Sequence, residues 1–304
     1  MGEGVAIPED QLSTWTHLGS VQQSSSTYQS IKSMLEHKDA SYSGRSVDSF
    51  LQGSYCNDTN IFGDSDVDIV LRTRALFHYN IDALPDPEKA EFKRLHPNAS
   101  QYQLGDFRTD VVTWLLQKYG ADLDTSGKKA LKLKANANRR SSDILLVAPH
   151  RKYTRYLGGG AADQTFLEGV LIVTTDGTHV INYPKQHSDN MTAKHQAANN
   201  LLKPTVRIYK NMRNRMVQKG FINAGVAPSY FLEGVLSNVA LDQFGKSWSA
   251  TVQNTFAWID GHKPADYMCA NGIHPLIRDN TSTSWPVQGY IDWLNAMKKL
   301  WNSW

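Results

Sequence analysis

The chain has 304 residues, 40% of them hydrophobic and 20% charged, which fits a soluble globular protein of one large domain or two modest ones. A net charge of +3 gives no global reason for a nucleic-acid partner, although a nucleotide site needs only local positive charge. Two cysteines, Cys56 and Cys269, are too few for a disulfide framework or a zinc cluster and read as reduced thiols.

The first residues lack a basic n-region and an apolar h-region, so no signal peptide is expected. Ala6 stands where a myristoylation signal needs Ser or Thr. No apolar run approaches the ~20 residues that span a bilayer. The expectation is a cytoplasmic monomer with no membrane contact. Residues from Pro8 to about Lys38 read as helical, with a polar break at Ser24-Ser25-Ser26. Ser26 or Thr27 would then cap a helix carrying Tyr28, Ile31, Met34 and Leu35 on one face. Ser46 to Gln52 reads as a short helix leading to a turn at Gly53, and Asp64 to Arg72 as a strand. Asn80 to Asn98, with Pro85, Pro87 and Pro97, reads as a surface excursion with a short helix.

Asp106 to Lys118 has helical spacing, and Lys128 to Ala135 alternates Leu131 and Leu133 with lysines as a half-exposed strand does. Ser142 to Val147 reads as a buried strand. Gly169 to Thr174 and Thr178 to Tyr183 flank Asp176-Gly177, a hairpin signal. His187 to Ser303 reads as mostly helical, broken near Gly220, Pro228, Pro264, Pro275 and Pro286. The predicted plan is an α/β unit over 1–190 followed by a helical unit over 191–304.

The segment with the most chemistry runs from Gly53 to Leu71. Asp66 and Asp68 are two residues apart on a strand, so they share one face about 7 Å apart while Val67 and Ile69 point to the core. Two such carboxylates repel, and a divalent cation relieves the repulsion. Mg²⁺, with Mn²⁺ as an alternative, prefers these oxygen ligands and completes its shell with substrate phosphates. The Gly53-Ser54 turn offers backbone N–H groups and a hydroxyl to a polyphosphate. A calcium loop starting at Asp64 fails, because its sixth and twelfth positions are Ile69 and Ala75. Phosphate cradle and acidic pair together point to nucleotidyl transfer.

Two-metal phosphoryl transfer works best with a third carboxylate. Asp110 opens an apolar helical run and reads as a helix N-terminal residue. Asp143 precedes Ile144-Leu145-Leu146-Val147 and can stand on a strand beside Asp66 and Asp68. Asp143 is the favoured candidate.

These residues, with Asn182-Tyr183-Pro184-Lys185-Gln186-His187, Lys203-Pro204-Thr205-Val206-Arg207, Lys210-Asn211 and Pro228-Ser229-Tyr230-Phe231-Leu232-Glu233, resemble the cGAS/DncV-like nucleotidyltransferases. That family makes cyclic nucleotide second messengers in bacterial antiphage defence, and the chain is most similar to its CdnE-like branch. The resemblance implies a polymerase-β-like mixed sheet joined to a C-terminal helical lobe, with the active site in the cleft. It assigns metal binding and catalysis to Asp66, Asp68 and Asp143, and triphosphate contacts to Gly53, Ser54, Lys210 and Ser229. It also implies NTP substrates and a downstream effector protein. Asn182 is either a base-reading amide, which would favour a pyrimidine, or a turn-forming residue before Pro184. His187 is either a phosphate or ribose contact or a structural histidine. The two remote cysteines and the absence of a His/Cys cluster argue against a zinc module for DNA sensing. Linear template-independent transfer, adenylylation of a small molecule, and a catalytically dead nucleotide-binding protein remain as alternatives.

Overall fold

In the computed structural model, which describes residues 7–19, 22–62 and 66–304, the apolar run after Ser142 opens a strand of 15 residues. Helices α1 (Glu9–Thr14) and α2 (Gln22–Leu35) precede strand β1 (Val47–Leu51) and the single turn α3 (Gly53–Cys56). Strands β2 (Val67–Thr73) and β3 (His78–Asn80) lead to helices α4 (Asp86–Leu95) and α5 (Leu104–Tyr119). Strands β4 (Leu123–Asp124), β5 (Ala130–Leu133), β6 (Ser142–Tyr156), β7 (Gln164–Val173) and β8 (His179–Asn182) follow. Helices α6 (Pro184–Ala197), α7 (Leu202–Gln218), α8 (Ser229–Asn238), α9 (Trp248–Asp260) and α10 (Val287–Asn302) complete the chain. None of the described helices is long and apolar enough to cross a membrane.

Contacts divide these elements into two compact units interleaved along the chain. One holds Gln23–Leu51 and Asp66–Pro184; the other holds Met1–Gln22, Gln52–Ser65 and Lys185–Trp304.

The first unit is a mixed sheet in the order β1-β2-β6-β5-β4. β2 runs parallel to the first half of β6, and β1 and β5 pair antiparallel on either side. The second half of β6 pairs with β3 and β7, and β8 pairs with β7. Val70, Leu145, Val147, Val170, Ile172 and Val180 form one buried face. Asp176-Gly177 closes the β7–β8 hairpin, with Gly177 at φ 81°, where glycine carries no Cβ penalty. Helix α4 fits the surface excursion and buries Phe92 against Tyr153 and Tyr156.

Three sequence expectations change in this unit. Ser46 to Gln52 is not a helix: Val47–Leu51 is strand β1. Its inward residue is Ser49, whose N–H and hydroxyl both donate to Glu36 Oε1 at 2.6 Å. A polar residue at the buried position hides the strand period. The Ser24-Ser25-Ser26 break does not exist either; α2 continues through it, with Ser24 and Thr27 buried. Asp110 lies in the interior of α5, not at its start, and accepts a hydrogen bond from Tyr102 at 2.6 Å.

The helical unit forms because α7 places Leu202, Val206, Tyr209, Met212 and Met216 on one buried face at helical spacing. Trp293 of α10 sits at its centre, 5.4 Å from Phe231 and 6.2 Å from Tyr209 between ring centroids. Each large apolar side chain fully buried in this way contributes roughly 1.5–3 kcal/mol.

Candidate active site

The acidic residues gather on neighbouring strands of the sheet. Asp68 of β2 and Asp143 of β6 are partners in a parallel register, so their side chains leave the same face of adjacent strands. Val67 and Ile69 on either side of Asp68 are buried, as the alternation predicts. Asp66 immediately precedes β2. Lys132 of β5 pairs in register with Asp143 from the other side, and its Nζ reaches Asp66 Oδ2 at 3.2 Å.

The electrostatics follow from this crowding. Burial pushes the Asp143 pKa up, the charge of Asp66 adds to the rise, and Lys132 offsets part of it. The Lys132 pKa is raised, first by its hydrogen bond to Asp66 and then by the same carboxylate's charge. An ammonium has thus settled among carboxylates that strain against one another. Such a donor set fits a hard divalent cation. Among the described residues, no three His, Cys, Asp or Glu side chains are drawn in close enough to enclose an ion unaided. Asp64 and Ser65 of the motif lie outside the described residues.

In the helical unit, Gly53 opens α3 at φ 67°, a conformation that suits glycine. The turn then folds back on itself. Asn57 N–H donates to the Gly53 carbonyl at 3.1 Å and Thr59 N–H to the Ser54 carbonyl at 2.9 Å. Asp58 between them is in the left-handed region at φ 54°. Side chains of the long helices grip this loop. Glu233 of α8, 2% exposed, accepts from Asn57 Nδ2 at 3.0 Å and from the Thr59 hydroxyl, and His187 Nε2 of α6 lies 2.7 Å away. Lys203 Nζ donates to Asp58 Oδ2 at 3.1 Å, and Arg207 donates to the Asp58 carbonyl.

Lys210, fully buried, donates to the Thr59 carbonyl at 3.0 Å. The predicted triphosphate lysine therefore touches the turn from beneath. Burial pushes the Glu233 pKa up, but the hydrogen bond and charge of His187, the Thr59 hydroxyl and the charge of Lys210 outweigh it, so the carboxyl is held below its usual range. Ser229 is the first residue of α8, after Pro228 in an extended conformation. First-turn amides of a helix have no intrahelical acceptor and favour anions. His187 is buried and stacked on Tyr230 with centroids 5.1 Å apart. This is the structural histidine of the two readings.

Asn182 ends β8, paired with Val170, and its Oδ1 accepts from the next residue's N–H at 2.8 Å. Gly169 lies so close that an added Cβ would stand 2.7 Å from the Asn182 carbonyl oxygen.

Sequence reasoning assigned no role to Glu233, Thr59, Asn57, Lys203, Arg207 or Lys132. The available signal was a lone acid inside the apolar run Phe231-Leu232-Glu233-Gly234-Val235-Leu236, a placement that a helix interior tolerates only with partners.

The family model for the cGAS/DncV-like nucleotidyltransferase C-terminal helical domain matches residues 189–302. The chain is 32% identical to a cyclic UMP-AMP synthase of Rhodothermus marinus, over 98% of this chain and 99% of that one. It is 30% identical to the cyclic nucleotide synthase CdnE01 of Staphylococcus haemolyticus, over 99% and 100%. The solved R. marinus CdnE structure with Apcpp and Upnpp superposes with a TM-score of 0.83 at 32% identity, covering 98% of this chain and 97% of that one. The Elizabethkingia meningoseptica CdnE structure shares the fold, with a TM-score of 0.74 at 24% identity over 97% and 98%.

Proposed function

The chain belongs to the cGAS/DncV-like nucleotidyltransferases, and from that premise we propose that it is a cyclic oligonucleotide synthase. It joins nucleoside triphosphates into a cyclic di- or trinucleotide and releases pyrophosphate. The observation that carries this reading is the end-to-end likeness to a cyclic UMP-AMP synthase. The pairing of Asp68 with Asp143 supports it from the chemistry.

Asp66, Asp68 and Asp143 are the residues that would hold a divalent metal, Mg²⁺ or Mn²⁺. Bound there, such a cation would supply charge neutralisation for the phosphates and the attacking oxygen. Asp143, in register beside Asp68, helps activate the attacking 2′- or 3′-hydroxyl. The Gly53-Ser54 turn and the first turn of α8 at Ser229 bind the donor triphosphate, and Lys210 serves it by holding the turn. Catalysis is then largely orientation and electrostatics. Asn182 offers a donor and an acceptor to a base edge and favours a pyrimidine. The product acts in the cytoplasm as an antiphage signal on a separate effector protein.

Incubation with the four NTPs and Mg²⁺, followed by phosphatase and mass spectrometry, tests the reading. A phosphatase-resistant cyclic product is expected. Linear products with removable terminal phosphates, or none at all, would overturn it.

A further inference from the structure

A buried carboxylate that accepts hydrogen bonds from a loop far away in sequence calls for a reason. Glu233 and Thr59 are 174 residues apart. Replacing a buried carboxylate together with its charged partner by apolar groups of the same shape is often neutral for stability. Hydrophobic packing alone would join these segments without it. What the carboxylate adds is direction.

The connections run in sequence. Glu233 fixes the Thr59 side chain and the Asn57 amide. Lys210 fixes the Thr59 carbonyl. Thr59 N–H, the remaining polar group of that residue, fixes the Ser54 carbonyl at 2.9 Å. All three polar sites of one fully buried threonine are thus engaged, two by the helices and one by the turn. Asp58 beside it is held in a left-handed conformation by Lys203 and Arg207. Ser229 lies four residues before Glu233 on the same helix, one turn away. Glu233 is therefore linked to Ser54 through Thr59 and to Ser229 through one turn of α8.

We infer that Glu233, acting through Thr59, is a positioning residue that sets the register of the Gly53-Ser54 turn against the first turn of α8, so that both meet one polyphosphate. The inference rests on the proposed function, which makes those two turns the triphosphate contacts. His187 completes the arrangement. Its Nε2 faces Glu233, while its buried Nδ1 has no hydrogen-bond partner among the described residues. Lys210, which holds the Thr59 carbonyl, adds a positive charge to the same cluster.

Two variants test this. Glu233→Gln keeps the shape but places an amide donor against donors. Thr59→Val keeps the volume and removes only the hydroxyl. Each is expected to raise KM for NTP about tenfold or more with kcat within about threefold, because ground-state placement of the phosphates is lost. Hydrogen exchange at the amides of residues 53–60 should accelerate about tenfold or more in the same variants. Thr59→Ser, which restores the hydroxyl, should return both readings to wild type. The Glu233→Gln/Thr59→Val double variant should be no worse than either alone.

Unchanged KM and unchanged exchange in folded Thr59→Val would overturn the inference, as would failure of Thr59→Ser to rescue. If Glu233→Gln does not fold, Thr59→Val and Thr59→Ser decide. The two readings fail separately. A wild type that makes no cyclic product sinks the proposed function. A wild type that makes it, with these variants indistinguishable from it, sinks only the positioning role.

Discussion

Asp68 and Asp143 face the same way from adjacent parallel strands, in register, although 75 residues of chain separate them. Neighbouring strands are about 4.8 Å apart, so both carboxylates fall within reach of a single cation. Asp68→Asn or Asp143→Asn removes charge without changing shape. Either should lower product formation on the order of 100-fold to 1,000-fold or more, with the melting temperature preserved or raised because a repulsion is relieved. The check is labelled-NTP turnover beside thermal denaturation. Wild-type turnover by Asp68→Asn would exclude the assigned chemistry.

Lys132 competes with any cation that approaches Asp66. Their ion pair is about half exposed on the lysine side, so its worth is modest. Lys132→Met should tighten Mn²⁺ binding to the isolated protein roughly twofold to fivefold, read by the loss of free Mn²⁺ signal in electron paramagnetic resonance. Equal affinity in wild type and variant would show that the lysine does not guard the site.

Acid should destabilise the α/β unit through His150. This histidine is 3% exposed on β6, opposite His78 of β3. Burial lowers its pKa from 6.5 to about 4, and the charges of His78 and Lys152 act in the same direction. The unfolded chain takes up the proton near 6.5 while the folded chain refuses it until about 4. Its stabilising contribution is thus full above about pH 6.5, falls as pH drops from there to about 4, and is constant below. His78, also lowered by burial and then by His179, adds to the same slope. The melting temperature of His150→Phe should therefore depend less steeply on pH across this window. An equal slope would rule His150 out as the cause.

Gly169 gives access to Asn182 without touching its side chain. A Cβ there would meet the Asn182 carbonyl at 2.7 Å and the Tyr183 ring at 2.9 Å. Gly169→Ala should cost about 1–3 kcal/mol by overpacking, measured by chemical denaturation. If Asn182 reads the base, the same variant should also shift the ratio of pyrimidine to purine incorporation, as Asn182→Ala should more strongly. An unaltered ratio in both would assign Asn182 to the turn alone.

The elements that could be read from the chain were those whose burial is apolar. β2 and the start of β6 announce themselves as runs of Val, Ile and Leu, and the hairpin by Asp176-Gly177. β1 could not be read, because its buried residue is Ser49, satisfied by Glu36, with Tyr28 and Lys32 donating to its carbonyl. The same limit explains α2, where small polar residues are buried by close approach and resemble a break. At the site, Asp68 and Asp143 were legible because strand alternation aims side chains predictably. Glu233, Thr59 and Asn57 were not, because hydrogen bonds between residues 174 and 176 positions apart leave no period.

The chain passes between its two compact units four times, at 22/23, 51/52, 65/66 and 184/185. A helical fragment cut out as residues 191–304 would keep Glu233 and Lys210 but lose Asn57, Thr59 and His187. It would strip Glu233 of the hydrogen bonds from Asn57, Thr59 and His187, and Lys210 of the Thr59 carbonyl, inside an apolar bundle. The C-terminal helices are therefore no interchangeable cassette. Grafting them between relatives should succeed only when residues 52–65 and 185–190 travel with them.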